Sequence, residues 1–175
     1  MHFHLKSYNY DPNRTFEIEK TLVDDGYVRI QFFDQHVPHD NDFPTNMEKF
    51  LIDIIEKLDG ESRSQTDDEF LFHTDCSYEI NPPEYMALFV LEPDQFGGGQ
   101  LEIIQLSDIL QSLSIKTREK LSNENFRINI PLEFLKKYRP ILNKYTMIIL
   151  NNQKYLHGRT KIFDQRRLLL QIRFN

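Results

Sequence analysis

The sequence predicts a mainly β fold with flanking helices, of the β-sandwich or jelly-roll kind. Short segments with strand-like patterning outnumber helical ones, and the helical periodicities fall at the edges of the strand series. No internal repeat or low-complexity tract points to another architecture. At 175 residues the chain has the length of a single domain, read as 1–175, with room for a sizeable core.

The elements follow in order. Tyr27-Val28-Arg29-Ile30 alternates like a strand after a turn at Asp24-Asp25-Gly26, glycine supplying the turn geometry. Between Thr45 and Leu58 the apolar residues Met47, Phe50, Leu51, Ile54, Ile55 and Leu58 recur at three and four. That spacing predicts an amphipathic helix stopped at Gly60 and packed on a sheet. A polar loop, Glu61 to Glu69, delivers the chain to Phe70-Leu71-Phe72. Asn81-Pro82-Pro83 fixes a turn before Tyr85 to Leu91, an apolar run predicted to be a strand buried on both faces. Gly97-Gly98-Gly99 then interrupts the chain ahead of a strand at Leu101-Glu102-Ile103-Ile104. A glycine triplet lets backbone approach a ligand, but the phosphate-loop ending and the dinucleotide spacing are both missing. Ser107 to Leu121 is helical by pattern, with a hinge near Ser114, and Phe126 to Ile130 alternates as a strand. Thr146 to Leu150 runs into an Asn151-Asn152 turn, and Arg167 to Phe174 forms the last strand.

Composition removes several classes of function. A formal charge of −6 and the lack of a basic stripe argue against nucleic acid and anionic membrane as partners. No apolar stretch approaches the roughly 20 residues of a membrane span, and the start lacks a signal-peptide core, so a cytoplasmic location is expected. The single cysteine, Cys76, has no internal partner, consistent with a reducing compartment.

The chemistry-bearing residues are His73-Thr74-Asp75 and, downstream, Leu156-His157-Gly158-Arg159-Thr160 followed by Arg166-Arg167. On a strand, positions i and i+2 share a face, so His73 and Asp75 can converge on one ion while Thr74 points away. His157 completes a set of two histidines and a carboxylate. Such a triad leaves coordination positions open and suits non-haem Fe(II) and O2 chemistry. Cys76 is not counted as a ligand, because the neighbouring strand residue faces the other side. The bland readings are a surface ion pair or turn cap for His73 and Asp75, and an interstrand salt bridge for Arg167.

These motifs, taken in order from Phe70 to Phe174, resemble the Fe(II)- and 2-oxoglutarate-dependent oxygenases of the taurine dioxygenase and clavaminate synthase-like superfamily. The shared order is strand, His-Thr-Asp, Pro-Pro-Glu-Tyr, apolar strand, paired glycines, helical insert, strand, Asn-Asn, Leu-His-Gly-Arg-Thr and Arg-Arg-Leu-Leu. The resemblance implies a double-stranded β-helix, the cupin-like jelly roll, with His73, Asp75 and His157 as iron ligands. It implies that Arg167 pairs with the far carboxylate of 2-oxoglutarate, with Arg173, on the same strand face, in reserve. A guanidinium fork suits a carboxylate. Two positions depart from the family pattern. Gln100 stands where a threonine commonly contacts the cosubstrate, and Gln171 where a further arginine is common. An amide donates and accepts, so Gln100 keeps a cosubstrate role open.

The implied reaction couples decarboxylation of 2-oxoglutarate by O2, giving succinate and CO2, to hydroxylation of an unactivated C–H bond. Desaturation and cyclisation draw on the same chemistry. The His73 segment also resembles that of amino-acid β-hydroxylases in the clavaminate synthase branch. This implies a small-molecule substrate, an amino acid either free or carried on a peptide or carrier protein, and Tyr78 is expected to border its pocket. The competing classes are a catalytically silent jelly-roll binding module and a Zn-dependent hydrolase built on the same triad.

Overall fold

The computed structural model describes residues 6–9, 11–32, 66–123 and 136–175. The helix expected over Thr45 to Leu58 and the strand over Phe126 to Ile130 lie outside these residues. Strand β1 (Ser7–Asn9) and a 3-10 turn at Pro12–Arg14 lead into α1 (Thr15–Asp25) and β2 (Tyr27–Gln31). Then come β3 (Phe70–His73), β4 (Tyr85–Glu92), β5 (Leu101–Gln105), α2 (Leu106–Ser112) and α3 (Ile115–Asn123). The chain closes with β6 (Thr146–Asn151), β7 (Tyr155–Arg159) and β8 (Leu168–Phe174).

The turn expected at Asp24 to Gly26 is the end of a helix that the apolar pattern does not announce. Gly26, at φ 78°, caps α1 in the left-handed conformation, and its N–H donates to Leu22 O at 2.8 Å. Thr21 of α1 is buried and its hydroxyl meets the Tyr8 hydroxyl at 2.7 Å, while Phe16 and Val23 are exposed. A helix whose inward face carries a threonine leaves a weak hydrophobic stripe. Helices α2 and α3 part at Leu113–Ser114, and Ser114 Oγ accepts from Thr117 N at 3.1 Å, as an N-cap does.

The strands form a five-stranded sheet in the order β1-β2-β6-β4-β8 and a three-stranded sheet in the order β3-β7-β5. From β3 to β8 each successive named strand changes sheet. Among the described strands, β1 and β2 pair in parallel and the other pairs are antiparallel. In β4, Met86, Ala87, Leu88, Phe89 and Val90 are all buried, as a continuous apolar run requires.

Cross-strand partners share a face, so the register shows what looks inward. Met86 pairs with Leu150 and Leu88 with Ile148, and these join Tyr27, Leu101, Ile103 and Tyr155 in the core between the sheets. Complete burial of Met86 and Ile148 stabilises the fold by about 1.5–3 kcal/mol for each side chain. On the other side of β4, Met86 pairs with Arg173 and Leu88 with Gln171. Two polar residues of β8 therefore stand on the core-facing side of the large sheet. In the small sheet, His157 lies between His73 and Ile103 in one cross-strand row. Among the described residues, no helix is long and apolar enough to cross a membrane.

Candidate metal centre

His73 is the last residue of β3 and His157 the middle residue of β7, and the two are paired across the ladder. Their rings lie 4.4 Å apart. Gly158 makes this approach feasible, since a Cβ there would sit 2.7 Å from Phe70 O. Asp75 reaches the same point by a different route from the one expected. It belongs to the turn after β3, not to the strand, and Cys76 beside it has φ 52°. The i, i+2 strand relation is therefore replaced by a tight turn that brings the carboxylate back over His73.

Asn152, in the β6–β7 turn, secures that turn. Its Oδ1 accepts from Asp75 N at 2.7 Å, and its Nδ2 donates to Asp75 O and Pro83 O, each at 2.9 Å. The neighbouring Asn151 shapes its own turn, Oδ1 accepting from Gln153 N at 2.9 Å and Lys154 N at 3.0 Å.

Asp75 Oδ1 lies 3.5 Å from His73 Nε2 and 3.5 Å from His157 Nε2. Those distances are too long for strong hydrogen bonds, and they suit three donors facing a common point. His73 Nδ1 lies 2.8 Å from Leu71 O. A carbonyl only accepts, so the neutral ring carries its proton on Nδ1 and presents the Nε2 lone pair to the same point. This is the outer-shell arrangement found around metal-bound histidines. Both His157 and Asp75 are buried, and His157 Nδ1 is buried with no hydrogen-bond partner among the described residues. His73, Asp75 and His157 each offer a ligand atom, all within 4.8 Å of one another. Two imidazoles and one carboxylate at this spacing fit a divalent transition metal.

Burial raises the Asp75 carboxyl, but His157 and His73 in their protonated forms, or a cation in the protons' place, together with Arg173 overrule it and hold the group well below the usual carboxylate range. Asp75 is therefore ionised. Its outer oxygen, Oδ2, accepts from Arg173 Nε at 3.0 Å and from Gln171 Nε2. The structure thus brings Arg173, the reserve candidate for cosubstrate, to the carboxylate of the triad.

Arg167 lies just ahead of β8 against the glycine triplet. Its Nη2 donates to Gly99 O at 3.1 Å, and a Cβ on Gly99, whose φ is 58°, would sit 2.5 Å from its Nε. The triplet makes room for this side chain. No carboxylate among the described residues forms an ion pair with Arg167. Burial and the nearby Arg159 charge push its pKa down to about 10, with Asp94 opposing, so it remains a cation at neutral pH.

Two aspartates brace the surrounding loops. Asp94 Oδ2 accepts from Phe163 N at 2.7 Å and Asp164 N at 3.1 Å, and Asp164 Oδ1 accepts from Arg166 N at 3.0 Å. Arg159 is buried and donates to the carbonyls of Asp68 and Thr66, tying the approach to β3. Gln100 is exposed and pairs with Thr160 through its main chain, its N–H donating to Thr160 Oγ1 at 2.9 Å. Tyr78 is 87% exposed, three residues beyond Asp75. Sequence patterning missed Asn152, Gln171 and Arg173 as partners of Asp75. The inward alternation of β8 was the signal available for the last two.

No family model and no curated protein matches the sequence. Solved structures do match. Asparagine oxygenase (AsnO) is 14% identical, with a TM-score of 0.64 over 94% of this chain and 78% of that one. The non-haem iron oxygenase OrfP in complex with Fe is 11% identical, with a TM-score of 0.64 over 98% and 94% of the two chains. A taurine dioxygenase from Burkholderia xenovorans is 17% identical, with a TM-score of 0.55 over 94% and 82%. Asparagine oxygenase has also been solved with Fe(II), 2S,3S-3-hydroxyasparagine and succinate, and OrfP with Fe and alpha-ketoglutaric acid. The chain has the fold of the taurine-dioxygenase-like Fe(II)- and 2-oxoglutarate-dependent oxygenases.

Proposed function

We propose that the protein is an Fe(II)- and 2-oxoglutarate-dependent dioxygenase, its 175 residues forming one catalytic domain, that hydroxylates a C–H bond of an amino acid or amino-acid-derived molecule. The observation that carries this reading is the convergence of His73 Nε2, His157 Nε2 and Asp75 Oδ1 on one point. The change of sheet between successive described strands from β3 to β8 supports a double-stranded β-helix, or jelly roll, as the scaffold.

In this reading His73, Asp75 and His157 hold Fe(II). When bound, the metal supplies a site for the keto acid and O2, and with it the oxidising chemistry of the reaction. Arg167 holds the far carboxylate of 2-oxoglutarate, an anionic partner for a half-buried guanidinium that forms no ion pair with a carboxylate among the described residues. Asp94 and Asp164 fix the loops that place Arg167. Gln100 and Tyr78, both exposed, are assigned to cosubstrate and substrate contact respectively. The amino-acid preference is supported by the fold shared with asparagine oxygenase, whose complex holds a hydroxylated amino acid and succinate.

The test is an anaerobic titration of the Fe(II)-loaded protein with 2-oxoglutarate, followed by its visible charge-transfer absorption. The band is expected in the wild type, absent in His73→Ala and reached only at higher 2-oxoglutarate in Arg167→Ala. Absence of the band in metal-loaded wild type sinks the oxygenase reading. Succinate release in the presence of candidate amino acids then ranks substrates, and neither a binding module nor a hydrolase produces it.

A further inference from the structure

Asp75 has two carboxylate oxygens, and the structure treats them differently. Oδ1 faces the two imidazole nitrogens at 3.5 Å each. Oδ2 is turned to β8, where Gln171 Nε2 and Arg173 Nε both donate to it. A carboxylate oxygen has two lone-pair sites, so two donors use the accepting capacity of Oδ2. We infer that Gln171 and Arg173 are positioning residues that hold the outer oxygen of Asp75, so that the carboxylate offers the metal Oδ1 alone. The inference rests on the metal-site reading proposed above and specifies how the third ligand is presented.

The placement follows from the fold. Gln171 and Arg173 are two apart on β8 and share its inward face, opposite Leu88 and Met86 of β4. Leu88 and Met86 belong to the core, so the two polar side chains rise from the edge of that core directly towards Asp75. Arg173 adds a positive charge and Gln171 a neutral donor. Together with Asn152, which holds the main chain of Asp75 on both sides of its Cα, they leave the carboxylate little freedom to rotate. A carboxylate chelating through both oxygens would take one more coordination position. One held to a single oxygen leaves that position for a keto acid or O2.

The experiment uses Mn(II) and Co(II) as probes on the full chain. Mn(II) affinity is read from the free-ion EPR signal and the ligand field from the visible absorption of Co(II), for wild type, Gln171→Met, Arg173→Met and Arg173→Lys. Gln171→Met keeps side-chain length and Arg173→Met reaches only as far as Nε; both remove the donors, while the lysine keeps the charge and one donor group. Melting of each metal-free variant sets a temperature at which all are folded. The inference expects Mn(II) binding about 10–100-fold weaker in each methionine variant, a changed Co(II) spectrum in both, and recovery of most of the affinity in Arg173→Lys. Equal affinity and unchanged spectra in the methionine variants overturn the inference and leave the metal site standing. Weaker affinity with an unchanged Co(II) spectrum also overturns it, since the mode of ligation is then independent of the two donors. Failure of wild type to bind either ion overturns the metal reading and the inference with it.

Discussion

Asn152 holds Asp75 by both of its main-chain groups, accepting from its N–H at 2.7 Å and donating to its carbonyl at 2.9 Å. One side chain thereby replaces a pair of backbone hydrogen bonds across a turn that contains a left-handed Cys76. Asn152→Asp keeps the shape and removes the Nδ2 donor, leaving the carbonyls of Asp75 and Pro83 without it. Each buried group left unsatisfied costs about 1–3 kcal/mol. The urea midpoint is expected to fall and Mn(II) affinity to drop with it. An unchanged midpoint would show that the turn stands without Asn152.

Arg167 and Gly99 form a second coupled pair. Alanine at 99 brings a Cβ to 2.5 Å from Arg167 Nε, whereas Gly97, at φ 81°, has nothing within 4 Å of an added Cβ. Both substitutions strain a left-handed backbone, but only the first displaces the guanidinium. Gly99→Ala is therefore expected to raise the 2-oxoglutarate KM at least about tenfold, the scale of one lost charge-assisted contact, and Gly97→Ala to leave it near wild type. Equal KM values in the two variants would remove Arg167 from the cosubstrate site.

The core makes a prediction independent of function. Met86 is fully buried between Leu150 and Arg173 in the register of the large sheet. Truncation to alanine leaves a cavity, and Met86→Ala should lower unfolding free energy by about 2–5 kcal/mol. Chemical denaturation of the metal-free protein measures it. A loss below about 1 kcal/mol would mean that the two sheets do not close on this residue.

The reading from sequence succeeded where periodicity or spacing is strong. The apolar run of β4 announces its own burial, and the Ser114 hinge between α2 and α3 follows from a break in pattern. It missed α1, whose buried contact is made by Thr21. It also assigned His73 and Asp75 to one strand, where the chain turns after His73. The roles of Asn152, Gln171 and Arg173 depend on long-range register: Asp75 meets a turn 77 residues away and a strand 96 and 98 residues away. No local pattern carries that information. The glycine triplet was read as a place where backbone approaches a ligand, and the structure sets the Arg167 side chain against Gly99 instead.

The loop ahead of Arg167 should give the stability curve an acid limb. Asp164 is buried as a residue, and its carboxylate accepts from Arg166 Nε at 2.9 Å and from Arg166 N at 3.0 Å. The Arg166 side chain and main chain hold its pKa down to about 2 against the opposing effect of burial. A carboxylate whose folded value lies below its unfolded value of about 4 binds fewer protons folded than unfolded between those limits. Its stabilisation is therefore complete above about pH 4 and is lost as pH falls towards about 2. Asp94, whose carboxylate bonds to Phe163 N, Phe96 N and Asp164 N, is lowered in the same direction and adds to the limb. Asp164→Asn should lower the urea midpoint near neutrality, where the carboxylate's stabilisation is complete, and flatten its fall between about pH 4 and 2. Because Arg166 is exposed, salt should shrink the effect. An acid limb of equal steepness in wild type and Asp164→Asn would assign it to other carboxylates.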